Sequence, residues 1–135
     1  MRQFLTTLLV VSVMACGGDS PAAPDTASMA GVWSLLSIDD TPLPYVLSQT
    51  STTKLELLSD VFTLGSDGRF TEQSIGRETN SGVVTADTAT DAGTYTVTGG
   101  SAVFRFFSTG GSATASVKAD TFTVSDNTTV FKYTR

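Results

Sequence analysis

The sequence predicts an all-β domain, in which an antiparallel up-and-down meander of eight or nine short strands closes into a small barrel. Three observations indicate this fold. Apolar and polar residues alternate over short runs from residue 31 onward, turn signals such as Gly99-Gly100 recur at short intervals, and amphipathic runs of helical length are missing. Closure into a barrel is expected because it removes the exposed edges of the meander.

The predicted strands follow this alternation along the chain, with Ser59-Asp60 interpreted as the turn between the second and the third. In the sixth strand, Phe104 and Phe106 share one side and Arg105 takes the other. The inward set is bulky and aromatic, so we expect a largely filled barrel with only a small cavity. The predicted strands are 32–38, 54–58, 61–64, 69–78, 92–98, 102–108, 112–118, 120–125 and 128–134.

The chain begins with a short export signal. A cation at Arg2 precedes about a dozen mostly apolar residues, a run too short to span a bilayer. This run ends in Val-Met-Ala-Cys, which resembles the lipobox of bacterial lipoproteins. The resemblance implies that Cys16 becomes the lipid-modified first residue of the mature chain and carries palmitate. The alternative is an ordinary cleaved signal followed by an unrelated cysteine.

The chain therefore divides into a signal peptide (1–15), the lipidated cysteine with a flexible tether (16–29) and a barrel domain (30–135). Small and polar residues with two prolines make up 17–28, a composition typical of a flexible linker. The expected location is the bacterial cell envelope, with attachment to the membrane through the lipid on Cys16. Glycine, not aspartate, follows this cysteine, and resemblance to bacterial sorting rules favours the outer membrane.

Composition restricts the chemistry. The chain has eight Lys and Arg residues and 13 Asp and Glu residues. Removal of the signal peptide would remove Arg2, which leaves seven basic residues and a net charge of −6. So acidic a domain is a poor nucleic-acid binder, because little would neutralise phosphates. Histidine is absent and cysteine occurs once, which excludes Ser-His-Asp and Cys-His catalysis, zinc sites built on these residues and an internal disulfide. We therefore expect a monomer that is not an enzyme and has neither cofactor nor metal.

Carboxylates are the only plentiful reactive groups. Glu72 and Glu78 share a predicted strand with Arg69 and Arg77, so ion pairs are their expected role. Residues 79–91 are acidic and rich in threonine, and they are predicted to form a mobile hairpin or loop.

A long connection at 39–52 carries four apolar residues, which need something to cover. They are Leu43, Tyr45, Val46 and Leu47, the candidate ligand-binding residues. Two interpretations stay open at this point. The segment is either a plug that seals one end of the barrel or a lid over a ligand.

Gly31-Val32-Trp33 opens the first strand, and its Gly-x-Trp pattern is similar to the first signature of lipocalin-like families. Gly93-Thr94-Tyr95-Thr96-Val97 and the closing Phe131-Lys132-Tyr133-Thr134-Arg135 resemble strands of small bacterial lipocalin-like lipoproteins.

This resemblance implies structural roles for Gly31 and Trp33, with the indole packed across the closed end of a lipocalin-like barrel. It also implies a basic residue stacked on Trp33, either Lys132 or Arg135. The implied function is binding of a small apolar or amphipathic ligand at the open end. The alternative is a filled barrel without a ligand, acting as a structural or interaction module that contacts an envelope protein.

Overall fold

A computed structural model describes residues 25–135, and it confirms the predicted all-β fold class as an eight-stranded closed antiparallel barrel with two additional short strands. The elements are α1 (Thr26–Met29), β1 (Gly31–Ile38), β2 (Thr41–Pro42), β3 (Tyr45–Gln49), β4 (Thr53–Leu64), β5 (Arg69–Asn80), β6 (Val83–Thr98), β7 (Ser101–Phe106), β8 (Ser112–Lys118), β9 (Thr121–Asp126) and β10 (Thr129–Thr134).

Strands β3 to β9 each pair with the next strand along the chain, and β1 closes the barrel between β10 and β4. The first half of β1 pairs with β4, from Gly31 opposite Leu64 to Ser34 opposite Val61. The second half pairs with β10 and ends at Ile38. The short strands β2 and β3 add to β1 and β4, respectively, and lie outside the closed ring.

One predicted turn is wrong. Ser59-Asp60 lies inside β4, where an extra residue between Leu57 and Ser59 forms a β-bulge in the pairing with β5. A bulge keeps both halves of a strand in one ladder while it shifts the alternation by one residue. As a result Asp60, and not Ser59, shares the inner face with Leu57.

Two other segments are more regular than the sequence indicates. The predicted connection 39–52 contains a turn at Asp39-Asp40, both with positive φ, followed by β2 and β3. Residues 79–91 belong to a strand hairpin around Ser81-Gly82, so of the two predicted forms the hairpin is the one observed. The first half of β4, which pairs with β3, and the adjoining parts of β5 and β6 project beyond the closed ring. We call this projecting four-stranded part the extension.

Aromatic side chains fill the barrel, as the alternation predicts. The ring of Phe122 stacks on Tyr133 at 4.6 Å between centroids and meets Trp33 at 5.1 Å. Phe62 makes ring contacts with four further aromatic side chains besides Phe122, namely Phe70, Phe104, Phe106 and Tyr133. Such pairs stabilise the core by about 0.5–1.5 kcal/mol each beyond the area that they bury.

Gly93 leaves room for one of these rings. It lies opposite Phe70, and a Cβ atom at this position would come within 2.7 Å of the phenyl ring and 1.9 Å of the Arg105 carbonyl oxygen. Glycine is therefore required for the close approach of the ring to the backbone.

Residues from Asp25 onward cover one end of the barrel, the closed end. Met29 is fully buried in the core, and its carbonyl oxygen accepts a hydrogen bond of 2.8 Å from the Trp33 indole nitrogen. The hydroxyl of Tyr95 lies 2.8 Å from the Thr26 carbonyl oxygen and 2.6 Å from that of Gly65. The packed part of the domain thus begins before the predicted boundary at residue 30, because the apolar side chain of Met29 is buried from water in the core.

Arg135 completes the closed end. Its guanidinium lies 4.8 Å from the centre of the Trp33 ring and donates a 2.7 Å hydrogen bond to the Ser28 carbonyl oxygen. Of the two candidates for a basic residue on Trp33, the structure selects Arg135; Lys132 alternates to the outer face beside inward Phe131 and Tyr133.

The signal peptide at 1–15, Cys16 and the tether as far as residue 24 lie outside the described residues. Across residues 25–135, the structure contains no helix with the length and apolarity needed to cross a membrane.

Replacement of Trp33 by alanine should lower the free energy of unfolding by about 3–5 kcal/mol, because it leaves a large cavity in a filled core. Urea denaturation followed by far-ultraviolet circular dichroism measures this change. Leu36→Ala is the matched control, since Leu36 lies on the same strand and is 49% exposed. Equal stability of the two variants would contradict a structural role for Trp33.

Candidate ligand-binding site

Two carboxyl groups lie where the inner face of β4 and β5 leaves the aromatic core. On β4, Asp60 is the inward-facing residue next to Phe62, and on β5, Glu72 is the inward-facing residue next to Phe70. Phe62 pairs with Glu72 and Asp60 pairs with Ser74, so the two carboxyl groups are diagonal neighbours on one face. They stand on the side opposite the closed end, which we call the mouth.

A cavity of about 180 Å³ opens beside this carboxyl pair. Its polar lining consists of Asp60, Glu72 and Tyr133, and the other residues are apolar. The apolar lining is Phe62, Phe104, Phe106, Ala113, Val124 and Phe131. The cavity is small because rings occupy most of the barrel, as predicted from the inward aromatic set.

The Asp60 side chain is incompletely satisfied. Asp60 is only 8% exposed, and one carboxyl oxygen, Oδ2, accepts a long hydrogen bond of 3.4 Å from the Tyr133 hydroxyl. The other oxygen, Oδ1, is buried and has no hydrogen-bond partner among residues 25–135. Burial of this group raises the pKa of Asp60 above its usual range. A buried carboxylate oxygen without a donor is costly, so such a group calls for an explanation.

Glu72 titrates near neutrality. Its burial raises the pKa of Glu72 to about 7, and the charge of Asp60, a hydrogen bond between the two carboxyl groups and the charge of Asp91 act in the same direction. When Glu72 is protonated it can donate a hydrogen bond to Asp60, and hydrogen bonds from Glu72, Tyr133 and Ser74 all act against the rise in the pKa of Asp60. Burial also raises the pKa of Tyr133 far above its usual value, so its hydroxyl stays a donor.

Asp91 adds a fixed negative charge. It lies on β6 directly opposite Glu72. Its carboxylate accepts hydrogen bonds from the Ser108 hydroxyl and from the backbone amide of Ala92, and these bonds lower the pKa of Asp91. Asp91 is therefore ionised under the conditions in which Glu72 gains a proton.

A groove of about 560 Å³ lies next to the mouth on the inner face of the extension. It begins at Ser74, which pairs with Asp60, and reaches Glu78 further along β5. Leu55 and Leu57 of β4 form part of its floor, and Leu47 of β3 stands at its side. The groove is thus apolar along β3 and β4 and carries carboxylates along β5 and β6.

Charge is sorted between the two faces of the sheet. Strand alternation places five carboxyl groups on the inner face, at the mouth and along the extension, and five cations on the outer face. The inner carboxyl groups are Asp60, Glu72, Glu78, Asp87 and Asp91, and the outer cations are Lys54, Arg69, Arg77, Arg105 and Lys132.

The predicted ion pairs of Glu72 and Glu78 are wrong. Arg77 instead binds Glu56 on the outer face, with 2.7 Å between charged atoms, and Lys54 approaches Glu56 equally closely. Hydrogen bonds from Lys54 and Arg77 lower the pKa of this carboxyl group. Strand alternation along β5 already indicates that these pairs do not form, because the odd-numbered arginines and the even-numbered glutamates face opposite sides of the sheet.

The four candidate residues of the 39–52 segment differ in burial. Leu43 and Tyr45 are half-buried and pack against the core, with Tyr45 opposite Leu57. Val46 and Leu47 are largely exposed, and Leu47 lines the groove. The plug and the lid both stay predictions.

Comparison of the chain with protein families, curated proteins and solved structures gave no match. In the described range 25–135, no three His, Cys, Asp or Glu side chains form a group that could hold a metal ion.

Stability should increase as pH falls from about 7.5 to about 5.5, since the folded protein binds a proton at Glu72 more tightly than the unfolded chain does. Over this window the pKa of Glu72 lies at about 7 in the folded state against 4.5 for an unperturbed glutamate, so ionisation opposes folding as pH rises. Melting temperatures measured across the range test this. Glu72→Gln should flatten the profile and raise stability at the upper end, while Glu78→Gln, an exposed carboxyl on the same face, should leave the slope in place. An unchanged slope in Glu72→Gln would contradict the assignment.

Proposed function

We propose that the protein is a lipid-anchored lipoprotein of the bacterial cell envelope whose lipocalin-like barrel binds a small amphipathic ligand at its mouth. The observation that carries this proposal is the ring-lined cavity whose wall contains Asp60, a buried carboxyl group with incomplete hydrogen bonding. A ligand with a polar end could donate to the Asp60 carboxyl group, while its apolar part covers Phe106 and Phe131, which are only partly buried. Both contributions favour binding, through hydrogen bonding to a charged group and through burial of apolar surface.

The dimensions of the two spaces limit how the ligand binds. Ligand pockets usually enclose about 300–1,000 Å³. The cavity of about 180 Å³ is smaller than that, whereas the adjoining groove offers about 560 Å³. One end of the ligand would therefore enter the cavity and the remainder would lie in the groove, close to Leu47.

The start of the described chain and the mouth lie at opposite ends of the barrel. The described chain starts at Asp25 and covers the closed end. A lipid on Cys16 would therefore be joined to the closed end of the barrel through residues 17–24, and the mouth would take up a ligand from the aqueous side of an envelope membrane. Glycine, not aspartate, follows Cys16, which favours the outer membrane by resemblance to bacterial sorting rules.

The second candidate is a structural or interaction module without a small-molecule ligand. One observation favours it. Val83 and Val84 lie at the tip of the β5–β6 hairpin and are 67% and 60% exposed, which suits contact with an envelope protein. The two candidates differ in whether the mouth takes up a ligand.

The full chain should bind the neutral environment-sensitive dye Nile red, with a rise in dye fluorescence. Ala113→Phe should weaken binding by about tenfold or more, because a phenyl ring at this position fills the cavity. Thr114→Phe is the matched control, since Thr114 is the exposed neighbour on the outer face. Wild-type protein that leaves the dye fluorescence unchanged, or equal binding by both variants, would favour the interaction module.

Replacement of Cys16 by serine should release the protein from the membrane fraction and abolish palmitate labelling. The reason is that the lipid on Cys16 is the proposed attachment. Fractionation and metabolic labelling of cells that express the full chain measure both properties. Continued labelling of the Cys16→Ser variant would exclude the lipoprotein proposal.

A further inference from the structure

We infer that the ligand is an aliphatic primary amine whose ammonium group binds between Asp60 and Glu72 and whose apolar chain lies along Leu55 and Leu57. This inference rests on the proposed ligand site and names the chemistry that the site selects. It is carried by the position of the carboxyl groups, by the sorting of charge and by the shape of the groove.

The incompletely hydrogen-bonded carboxyl group of Asp60 determines the polar end of the ligand. Oδ1 of Asp60 is buried and requires a donor. A hydroxyl group would supply one hydrogen bond but leave the negative charge in place, and an anionic group would be repelled by Asp60, Glu72 and Asp91. An ammonium group supplies three donors together with a neutralising charge. The mouth is therefore selective for cations.

No basic side chain lines the described part of the mouth, so none competes with such a cation. Strand alternation turns Arg69, Arg77 and Arg105 to the outer face, and Glu56 holds Arg77 there. The rings of Phe62 and Tyr133 line the cavity beside the carboxyl pair. Aromatic faces attract a desolvated cation, so they favour the same class of ligand.

The groove determines the rest of the ligand. From Ser74 to Glu78 it follows four residues of β5, about 13 Å at the usual rise of a strand. Leu55, Leu57 and Leu47 line it from the neighbouring strands. A groove of this length with leucine side chains along one side fits an unbranched alkyl chain extending from the ammonium group.

Binding of the amine replaces a proton. Glu72 faces Asp60 on β4, Asp91 on β6 and Tyr133 on β10, and the cavity-lining residues from β7, β8 and β9 carry no titratable group. Near neutral pH, a proton on Glu72 bonds to Asp60 at the place where the ammonium group would lie. Amine binding should therefore release this proton and strengthen as pH rises.

The test compares three ligands with the same ten-carbon chain, decylamine, decanol and decanoate, all below their micelle-forming concentrations. Isothermal titration of the full chain at about pH 7.5 should show decylamine binding at least about tenfold more tightly than decanol, with no binding of decanoate. At about pH 5.5 the affinity for decylamine should fall by about 10- to 30-fold, since a proton then occupies Glu72.

Variants locate the binding. Asp60→Asn should weaken decylamine binding by about 10- to 100-fold, the effect of losing a charged hydrogen-bond partner. Glu72→Gln should remove most of the pH dependence. Asp126→Asn is the control for net charge, because Asp126 is exposed at the β9–β10 turn and lines neither space. Melting temperatures show whether each variant folds, and the comparison of the three ligands on the wild-type chain needs no variant.

Equal binding of the three ligands would overturn the amine inference, as would equal affinity of Asp60→Asn and Asp126→Asn for decylamine. If Nile red binds and none of the decyl compounds does, the amine inference fails while the proposed function stands. If Nile red also fails to bind, the proposed function fails with it.

Discussion

The division of β1 between two partners is the constraint on which the rest of the structure depends. Its first half pairs with β4 and closes the ring, and its second half pairs with β10. Since β1 leaves β4 after Ser34, the other half of β4 is free to pair with β3. One strand therefore creates both the closed aromatic core and the open four-stranded extension.

The two ends of the barrel show opposite chemistry for the same reason. At the closed end, β1 and β4 are paired. There the indole of Trp33 donates a hydrogen bond to the Met29 carbonyl oxygen and packs against the guanidinium of Arg135. At the mouth, where the two strands separate, the core ends in carboxyl groups and a cavity. The stability of the domain comes from the closed end and the aromatic rings, which allows the mouth to keep a costly buried group such as Asp60.

The bulge in β4 is the local feature that produces the candidate site. Without the extra residue, alternation from Leu57 would bring Ser59 to the inner face and turn Asp60 outward among the cations. With it, Asp60 lies beside Glu72, and the two carboxyl groups share an environment that raises the pKa of both. One inserted residue thus converts an outer-surface carboxylate into a buried one.

Much of the fold could be read from the sequence because strand alternation is a local property. The repeat of two identified the inward Phe104, Phe122 and Tyr133, and the same parity separates Glu72 from Arg77. The sequence by itself thus determined the fold class, the aromatic interior and most of the turns. It did not determine the bulge, because Ser59-Asp60 has the composition of a turn.

Only the tertiary structure decided which distant residues meet. Tyr133 contacts Asp60 across 73 positions of sequence, and Arg135 lies over Trp33 where Lys132 was an equal candidate. These contacts depend on the register of several strands and on the closure of the ring, to which every strand contributes. A local pattern assigns a side chain to a face of its own strand, but the position of that face relative to a distant strand is set by the pairing of the whole barrel.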